Sequence, residues 1–313
     1  MKHLAFNSTK ITELPYYSNI YGTHLFAKRD DLFDKAGGGS KARMLQYILS
    51  EVSSENCDVI ITAGGPNSNF NRACALMCAR LGILMHLVEY TDEPIQFQTS
   101  LNYYLCNLAS IRKSRCEKNA VAQMIQHVIE KYKRQGYKVK YIYGGGKSLE
   151  GIFAYYDAVK ELKEQKADIN HIFLACGTGT TLTGICAGMQ QFYPEAVVHA
   201  ISTARSWEME KDVLEEDADI IGSYLNQNIN FQNLEFSDNY LCGGYSQYNE
   251  ELMDIIKECI SHEGMIIDPT YSGKAFWGMT KEISKNRQRY KGKNICFLNT
   301  GGVFNLLSTI NDR

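Results

Sequence analysis

The stretch Ala36–Tyr47, AGGGSKARMLQY, places three consecutive glycines and a serine directly before Lys41. The residues after Lys41 are good helix formers, and Met44 and Leu45 begin an apolar series with helical spacing. Glycines form a bend without side chains, so we expect Lys41 at or near the N-terminus of a helix. The helix dipole and the free backbone N–H groups there disfavour the charged form of the amine. A lysine that acts as a nucleophile must be neutral, and this position favours that form.

Two interpretations of this stretch remain open from the residues alone. In the first, Lys41 forms a Schiff base with pyridoxal phosphate, the commonest reason to prepare a lysine amine in this way. In the second, the glycines form a surface turn and the lysine is solvated. The stretch is not a Walker A loop, because GGGSKA lacks the GKS or GKT ending with a glycine four residues earlier.

The composition is that of a globular protein, and we expect its partner to be a small molecule or another subunit. The chain has 313 residues, 44% apolar and 22% charged, which suits one large domain or two ordinary ones. A formal net charge of −2 gives no electrostatic reason to expect nucleic acid or an anionic membrane as a partner. The first residues contain no apolar run of signal-peptide length, and no 18 uncharged apolar residues are consecutive, so we expect a cytoplasmic protein.

The ten cysteines are expected to be free thiols. Most of them lie in predicted core segments, such as Cys176 in FLACG and Cys296 in ICFLN. No CxxC pair occurs, so zinc and thioredoxin chemistry lack their usual signature and no metal site is predicted.

Strand and helix patterns alternate along the whole chain. Short apolar, β-branched runs end at glycines and are followed by helical patterns, which predicts parallel sheets covered by helices. There are two such series, so we expect an α/β protein of two lobes with a cleft between them. The acidic run 210–220 is predicted to be a solvated loop or helix face. The predicted strands are 24–29, 58–65, 83–90, 139–143, 171–176, 196–202, 265–268 and 294–299.

One glycine-rich loop follows a strand and opens a helix, the position where backbone N–H groups and the helix dipole bind anions. It is a candidate phosphate site, with a tight strand-to-helix turn as the alternative. The dinucleotide fingerprint is excluded because Leu182 stands where its third glycine would be. The residues of the loop are Gly177, Thr178, Gly179, Thr180 and Thr181.

A second strand-to-helix loop, GGPNSNFNR, carries more polar side chains than helix capping requires. Its residues Asn67, Ser68, Asn69 and Asn71 are candidate donors to a carboxylate or a ring hydroxyl. Further polar residues follow later predicted strands, where ligands bind in α/β sheets. These residues are Tyr271, Ser272 and Thr300.

Taken in order, these stretches resemble the pyridoxal-phosphate enzyme family that contains 1-aminocyclopropane-1-carboxylate deaminase and D-cysteine desulfhydrase. The likeness runs nearly end to end, through AKRDDL, GGGSKARMLQYIL, TAGGPNSN, GTGTTLTG, DPTYSGKA and NTGGVFNLL. The resemblance implies the two-domain tryptophan synthase β-like fold, known as fold type II, with the cofactor in the cleft. It implies a larger domain of residues 1–47 and 149–313, a smaller inserted domain of residues 48–148, and a homodimer.

The resemblance also assigns roles by position. Lys41 would be the Schiff-base lysine, Asn69 would contact the ring oxygen, and the loop Gly177–Thr181 would hold the phosphate. Ser68 would help to hold the substrate carboxylate, and Tyr271 would be an acid/base group. The chain departs from the family's usual Gln, His and His at three positions, which affects the choice of substrate more than the cofactor. These positions are Asn67, Phe70 and Asn299.

Two positions separate the branches of this family. The ring-opening deaminases carry Glu and Leu where this chain has Ser272 and Thr300, whereas the desulfhydrases carry small hydroxyl residues. A carboxylate at the pyridine nitrogen keeps it protonated and makes the ring a strong electron sink, which a neutral hydroxyl cannot do. Loss of a good leaving group needs a weaker sink, so Ser272 and Thr300 favour β-elimination.

The resemblance therefore implies a lyase that acts on a small β-substituted amino acid. D-cysteine is the first candidate, with pyruvate, sulfide and ammonia as products, and either the freed Lys41 amine or Tyr271 would remove the α-proton. Three alternatives remain: a β-replacement synthase, a 1-aminocyclopropane-1-carboxylate deaminase, and a ligand-binding homologue without turnover.

Overall fold

The computed structural model describes residues 4–5, 7–90 and 100–309, and within these ranges ten strands form two sheets. Apolar β-branched and aromatic residues dominate the central strands, as sheets covered on both faces require. In chain order the strands are β1 (Ile11–Glu13), β2 (His24–Arg29), β3 (Val59–Gly64), β4 (Leu84–Tyr90), β5 (Arg112–Cys116), β6 (Val139–Tyr141), β7 (His171–Cys176), β8 (Val197–Ser202), β9 (Leu234–Ser237) and β10 (Asn294–Asn299).

The helices follow the strands in the βα alternation that the sequence predicts, and several end at glycines in the left-handed region. They are α1 (Pro15–Tyr21), α2 (Ser40–Ser54), α3 (Asn69–Leu81), α4 (Leu101–Leu108), α5 (Val121–Arg134), α6 (Leu149–Glu164), α7 (Thr180–Phe192), α8 (Trp207–Leu225), α9 (Glu250–Glu263), α10 (Ser272–Lys285), α11 (Arg287–Tyr290) and α12 (Val303–Ser308). In the described part of the chain, none of these helices has both the length and the apolar content needed to cross a membrane.

The larger sheet has six strands in the order β1-β2-β10-β7-β8-β9, parallel except for the antiparallel pair of β1 and β2. Alternate residues of β10 enter different cores, because side chains of a strand point to opposite faces. Ile295 and Phe297 pack with α1, α9 and α10, whereas Cys296 and Leu298 pack on the side of α2, α6 and α7. Helices therefore cover both faces of this sheet.

The smaller sheet has four parallel strands in the order β5-β4-β3-β6, with α5 packed on one face. All four strands lie between Val59 and Tyr141. Helix α2 packs against both α6 and α3, so it joins the helices of the two sheets. The predicted α/β class with parallel sheets flanked by helices is confirmed, while the bounds of the two domains stay a prediction.

The structure corrects the prediction of a strand at residues 265–268, which lie outside both sheets. Side chains bind this backbone in place of a neighbouring strand. Asn299 donates its Nδ2–H to the carbonyl of Ile266 at 3.0 Å, and the Asp268 N–H donates to Ser272 Oγ at 2.9 Å. The apolar run therefore marks a buried, extended segment rather than a strand.

The acidic run 210–220 is part of helix α8 and is not fully solvated. Glu210, Leu214 and Asp217 on this run are buried. The expectation of a solvated loop or face is wrong for these positions, because one helical stripe of the run packs on the core. The cysteines are free as expected, eight of them buried and two partly exposed.

Candidate active site

Lys41 is the second residue of α2 and follows a turn that only glycines can form. Gly38 and Gly39 have φ values of 77° and 92°, in the left-handed region that favours glycine. A Cβ on Gly38 would lie 2.1 Å from the carbonyl oxygen of Asp31, and one on Gly39 would lie 2.9 Å from that of Thr300. The glycines therefore serve both the turn and its close packing against neighbouring backbone.

The amine of Lys41 lies among weakly polar neighbours. Its Nζ donates to the carbonyl of Gly145 at 2.9 Å and lies 3.7 Å from Met44 Sδ. Burial lowers the pKa of Lys41 to about 8, because the charged form loses hydration that these neighbours only partly replace. The expectation of a readily deprotonated lysine fits this position, and burial is the main physical cause.

A buried ionic cluster holds the first turn of α2. Arg43 donates to Asp30 at 2.8 Å and to Glu161 at 2.9 Å, and Lys28 donates to Glu161 at 2.6 Å. Burial alone would raise the pKa of Asp30, but the Arg43 guanidinium holds it below its ordinary value. The Asp30 carbonyl also accepts the N–H of Gly39 at 2.8 Å. The cluster therefore connects β2 and α6 to the turn that presents Lys41.

The glycine-rich loop after β7 lies beside Lys41. Thr178 is the neighbour of Gly145, since a Cβ built on Gly145 would lie 3.3 Å from Thr178 Cγ2. A Cβ built on Gly177 would lie 3.5 Å from the ring of Tyr271. The loop ends at Gly179, with φ of 82°, and α7 begins at the next residue. The loop therefore lies close both to Gly145, whose carbonyl accepts a hydrogen bond from the Lys41 amine, and to Tyr271.

Of the four polar residues in the loop after β3, two are used by the protein itself. Ser68 caps α3 by accepting the N–H of Asn71 at 3.2 Å, and Asn71 donates to the carbonyl of Gly65 at 3.2 Å. The capping alternative is therefore correct for Ser68, although its hydroxyl proton remains available to another acceptor. Asn69 is different, because its buried Oδ1 has no hydrogen-bond partner among the described residues.

Tyr271 forms the N-cap of α10 and meets a second tyrosine that sequence reasoning missed. The hydroxyl oxygens of Tyr271 and Tyr245 lie 2.6 Å apart. Burial and the neighbouring Tyr245 raise the pKa of Tyr271 well above its ordinary value. Tyr245 as a whole residue is 48% exposed. The adjacent Gly243 and Gly244 are the signal that could have marked this loop.

Asp268 organises the turn that carries Tyr271 and Ser272, and it too was missed from the sequence. Its carboxylate accepts the N–H groups of Thr270, Tyr271 and Ser272 at 2.8–3.2 Å. Ser272 is buried, and its hydroxyl lies 2.8 Å from both Asp268 Oδ1 and the carbonyl of Gly301. Burial raises the pKa of Asp268 to about 6.

The predicted residue Thr300 lies at the same corner as Lys41, where its carbonyl accepts the N–H of Ser40 at 2.9 Å. Two of the three departures from the family pattern are buried in contacts with the protein. Phe70 packs against Gly146, and Asn299 accepts the N–H of Gly301 at 3.1 Å. Asn67, by contrast, is exposed.

The residues present fit pyridoxal phosphate. A half-buried lysine amine of lowered pKa suits its aldehyde. The glycine-rich helix N-terminus beside that amine suits its phosphate, and the buried Oγ1 of Thr180 in this loop has no hydrogen-bond partner among the described residues. The unpartnered Asn69 Oδ1 offers a polar contact to the ring.

Residues 3–301 match the family model described as "Pyridoxal-phosphate dependent enzyme". The chain belongs to this family of pyridoxal-phosphate enzymes, and the expected cofactor is confirmed. It is 29% identical over 306 residues to a D-cysteine desulfhydrase of Klebsiella pneumoniae (strain 342), with 94% of this chain and 92% of that protein covered. The resemblance found in the sequence is thereby confirmed.

Solved structures show the same fold. The chain is similar to a 1-aminocyclopropane-1-carboxylate (ACC) deaminase homologue with a TM-score of 0.88 and 28% identity, covering 99% of this chain and 94% of that one. A fungal L-serine ammonia-lyase from Rhizomucor miehei matches with a TM-score of 0.71 and 15% identity, covering 99% and 98% of the two chains. The expected fold type II architecture is confirmed by these matches.

Proposed function

We propose that this enzyme is a lyase that catalyses α,β-elimination from a small β-substituted amino acid, with D-cysteine as the first substrate to test. The observation that carries the proposal is the proximity of Lys41, the loop Gly177–Thr181 and the Tyr271–Tyr245 pair. It supports a site in which an amine of lowered pKa, a glycine-rich loop and a phenol act on one substrate. The preference for D-cysteine is supported by the desulfhydrase relative.

Lys41 is the residue best suited to hold the cofactor and then to act as the base. When bound, pyridoxal phosphate withdraws electrons from the bonds of the substrate Cα and makes its proton acidic. With a pKa of about 8, the Lys41 amine is partly neutral near pH 8 and can accept that proton. Tyr271 is a poor base, because its raised pKa keeps the phenol protonated.

Tyr271 is therefore assigned the role of acid. When the substrate is bound as its thiolate, the sulfur needs one proton to leave as hydrosulfide, and the Tyr271 hydroxyl can donate it. Tyr245, 2.6 Å away and half exposed, can return a proton from solvent to Tyr271. Of the two bases considered from the sequence, the electrostatics favour Lys41.

The loop after β3 is assigned the substrate carboxylate. Ser68 retains a hydroxyl proton to donate, and the N-terminus of α3 supplies backbone N–H groups and a favourable dipole. Asn69, with its unpartnered buried oxygen, is assigned to the cofactor ring.

Ser272 and Thr300 support elimination over ring opening. The Ser272 hydroxyl contacts Asp268 and Gly301, so it holds the buried carboxylate in place and presents no charge of its own. A neutral hydroxyl from Thr300 or Ser272 leaves the pyridine nitrogen without a carboxylate partner, which suits substrates with a good leaving group.

The test compares D-cysteine, L-cysteine and 1-aminocyclopropane-1-carboxylate while pyruvate, sulfide and 2-oxobutyrate are assayed. Pyruvate and sulfide from D-cysteine support the proposal, and 2-oxobutyrate from the cyclopropane substrate would replace it with a deaminase. A second nucleophile that suppresses pyruvate would indicate a β-replacement synthase. Lys41→Ala is the control and should lose both the visible absorbance of the bound cofactor and turnover. Binding without any product would favour a non-catalytic homologue.

Three further features are part of this proposal. A homodimer is to be tested by light scattering of the purified protein, and a cytoplasmic location by fractionation of cells. Domains of residues 1–47 with 149–313 and of residues 48–148 are to be tested by limited proteolysis.

A further inference from the structure

A chain of buried polar side chains connects the loop before α3 to the turn before α10. Asn305 on α12 lies in its middle, with Asp268 on one side and Asn102 of α4 on the other. We propose that Asn305 and Asn102 are positioning residues that fix the distance between the Ser68 loop and the Tyr271 turn. The inference rests on the proposed function, because it assigns these two segments to one substrate.

At one end, this series of buried polar side chains reaches the turn that carries Tyr271. Asn305 Nδ2 lies 3.5 Å from Asp268 Oδ2, and Asp268 accepts the N–H groups of Tyr271 and Ser272. Both Asp268 and Asn305 are buried, so water competes little for these bonds. A movement of Asn305 would therefore displace the turn that carries Tyr271, the acid of the proposed reaction.

The other end reaches the loop that precedes Ser68. Asn102 is fully buried, and its Nδ2 donates to Asn305 Oδ1 at 2.7 Å and to the carbonyl of Asn67 at 3.1 Å. Ser100, the N-cap of α4, donates to the carbonyl of Pro66 at 3.0 Å. The start of α4 thus holds two consecutive carbonyls of the candidate carboxylate-binding loop.

The order of donor and acceptor explains why an amide suits the middle position. Asn305 must accept a hydrogen bond from Asn102 and donate one to the Asp268 carboxylate, which an amide does with its oxygen and its NH₂ group. The first residue of α4 adds a parallel link, because Leu101 N–H donates to Ser308 Oγ on α12 at 3.1 Å. Helix α12, which follows the six-stranded sheet, is thereby attached to α4, which lies beside the four-stranded one.

The experiment measures hydrogen exchange of the holoenzyme in peptides covering residues 66–72 and 268–274. Asn305→Ala should speed exchange about tenfold in both segments, as loss of buried hydrogen bonds to both ends predicts. Faster exchange in one segment only, or in neither, would overturn the proposal. Asn233→Ala is the matched control, since Asn233 makes a similar amide-to-carbonyl bond with Pro194 on an exposed loop.

Kinetics give a second readout. With D-cysteine, Asn305→Ala and Asn102→Ala should each raise KM about tenfold while the visible absorbance of the bound cofactor is retained. The double variant should have a KM no higher than that of either single variant, because either substitution already interrupts the series of hydrogen bonds. Fully additive effects would contradict a shared positioning role.

Two provisions keep the result decisive. If the wild type releases no pyruvate from D-cysteine, the proposed function fails, and the exchange data still decide whether the two segments are linked. If Asn305→Ala does not fold, Asn305→Asp is used, which keeps the acceptor for Asn102 and removes the donor to Asp268. Unchanged exchange at residues 268–274 in that variant would overturn the proposal.

Discussion

The phenolic oxygens of Tyr245 and Tyr271 lie 2.6 Å apart, although the two residues stand on different loops. Tyr271 begins a helix on the buried side of the site, and Tyr245 follows two glycines on its exposed side. A single proton can occupy the bond between them. In the proposed reaction, the pair is the path by which Tyr271 regains its proton from water.

Removal of the outer hydroxyl should slow turnover with little effect on substrate binding. Tyr245→Phe is expected to lower kcat about tenfold to a hundredfold with D-cysteine, since Tyr271 would then regain its proton slowly. Steady-state kinetics measure the change. Tyr248→Phe on the same loop is the control, because Tyr248 is also exposed. An equal loss in both variants would point to the loop rather than to the proton path.

The lowered pKa of Lys41 should appear in the uptake of the cofactor. The pKa of about 8 means that the neutral amine becomes the main form as pH rises through that value. We expect the rate at which apoenzyme gains its visible absorbance to rise from pH 6 to about pH 8 and then to level off. Stopped-flow absorbance provides the measurement. A rate still rising steeply at pH 10 would indicate an ordinary lysine.

The buried Asp268 should make stability depend on pH in an unusual direction. Its folded pKa of about 6 exceeds the ordinary value of 3.8, so between these values the folded state binds more protons than the unfolded state. Its contribution to the free energy of unfolding therefore falls as pH rises, by about 2 kcal/mol between pH 4 and pH 7. Urea unfolding of the wild type and of Asp268→Asn at both pH values isolates this difference. A difference that does not change with pH would contradict it.

Gly38 should tolerate no side chain. Gly38→Ala adds a Cβ 2.1 Å from the Asp31 carbonyl and places alanine at φ of 77°. We expect a loss of at least about 2 kcal/mol in the free energy of unfolding, together with weaker cofactor binding. Gly22→Ala separates the two causes, because φ there is 65° but nothing lies within 4 Å of the added atom. Equal losses at both positions would mean that the left-handed backbone alone is responsible.

The ionic cluster under α2 should depend on Arg43. Arg43→Met leaves the buried carboxylates of Asp30 and Glu161 without their shared partner, which is expected to cost about 3–5 kcal/mol. Thermal and urea unfolding measure the loss. The exposed pair of Arg134 and Glu130 gives the comparison, because Arg134→Ala should cost less than about 1 kcal/mol. Similar losses in the free energy of unfolding for the two variants would show that burial does not strengthen the ion pairs of the cluster.

Local patterns were sufficient to predict the βα alternation, the turn before Lys41 and the loop after β7. Each of these is encoded by neighbouring residues, with glycines at strand ends and helix formers after them. The contacts of Tyr245 and Asn305 were not predictable in the same way. Tyr245 meets Tyr271 across 26 residues, and Asn305 meets Asn102 across 203 residues, so no spacing in the sequence marks them.

The strand predicted at residues 265–268 shows that an apolar run alone does not specify pairing in a sheet. Residues 265–268 have the composition of a buried strand, and Met265 and Ile267 are indeed buried. Whether such a segment pairs with a strand or with side chains depends on what lies beside it. Here the amide of Asn299 and the hydroxyl of Ser272 bind the backbone.

The burial of the cysteines has a consequence for an enzyme whose proposed products include hydrosulfide. Burial raises the pKa of thiols such as Cys176, Cys186 and Cys296, so little thiolate is present at neutral pH. Thiolate is the form that attacks disulfides and takes part in sulfur exchange. A disulfide that meets the enzyme would therefore find few thiolates able to attack it at these buried positions.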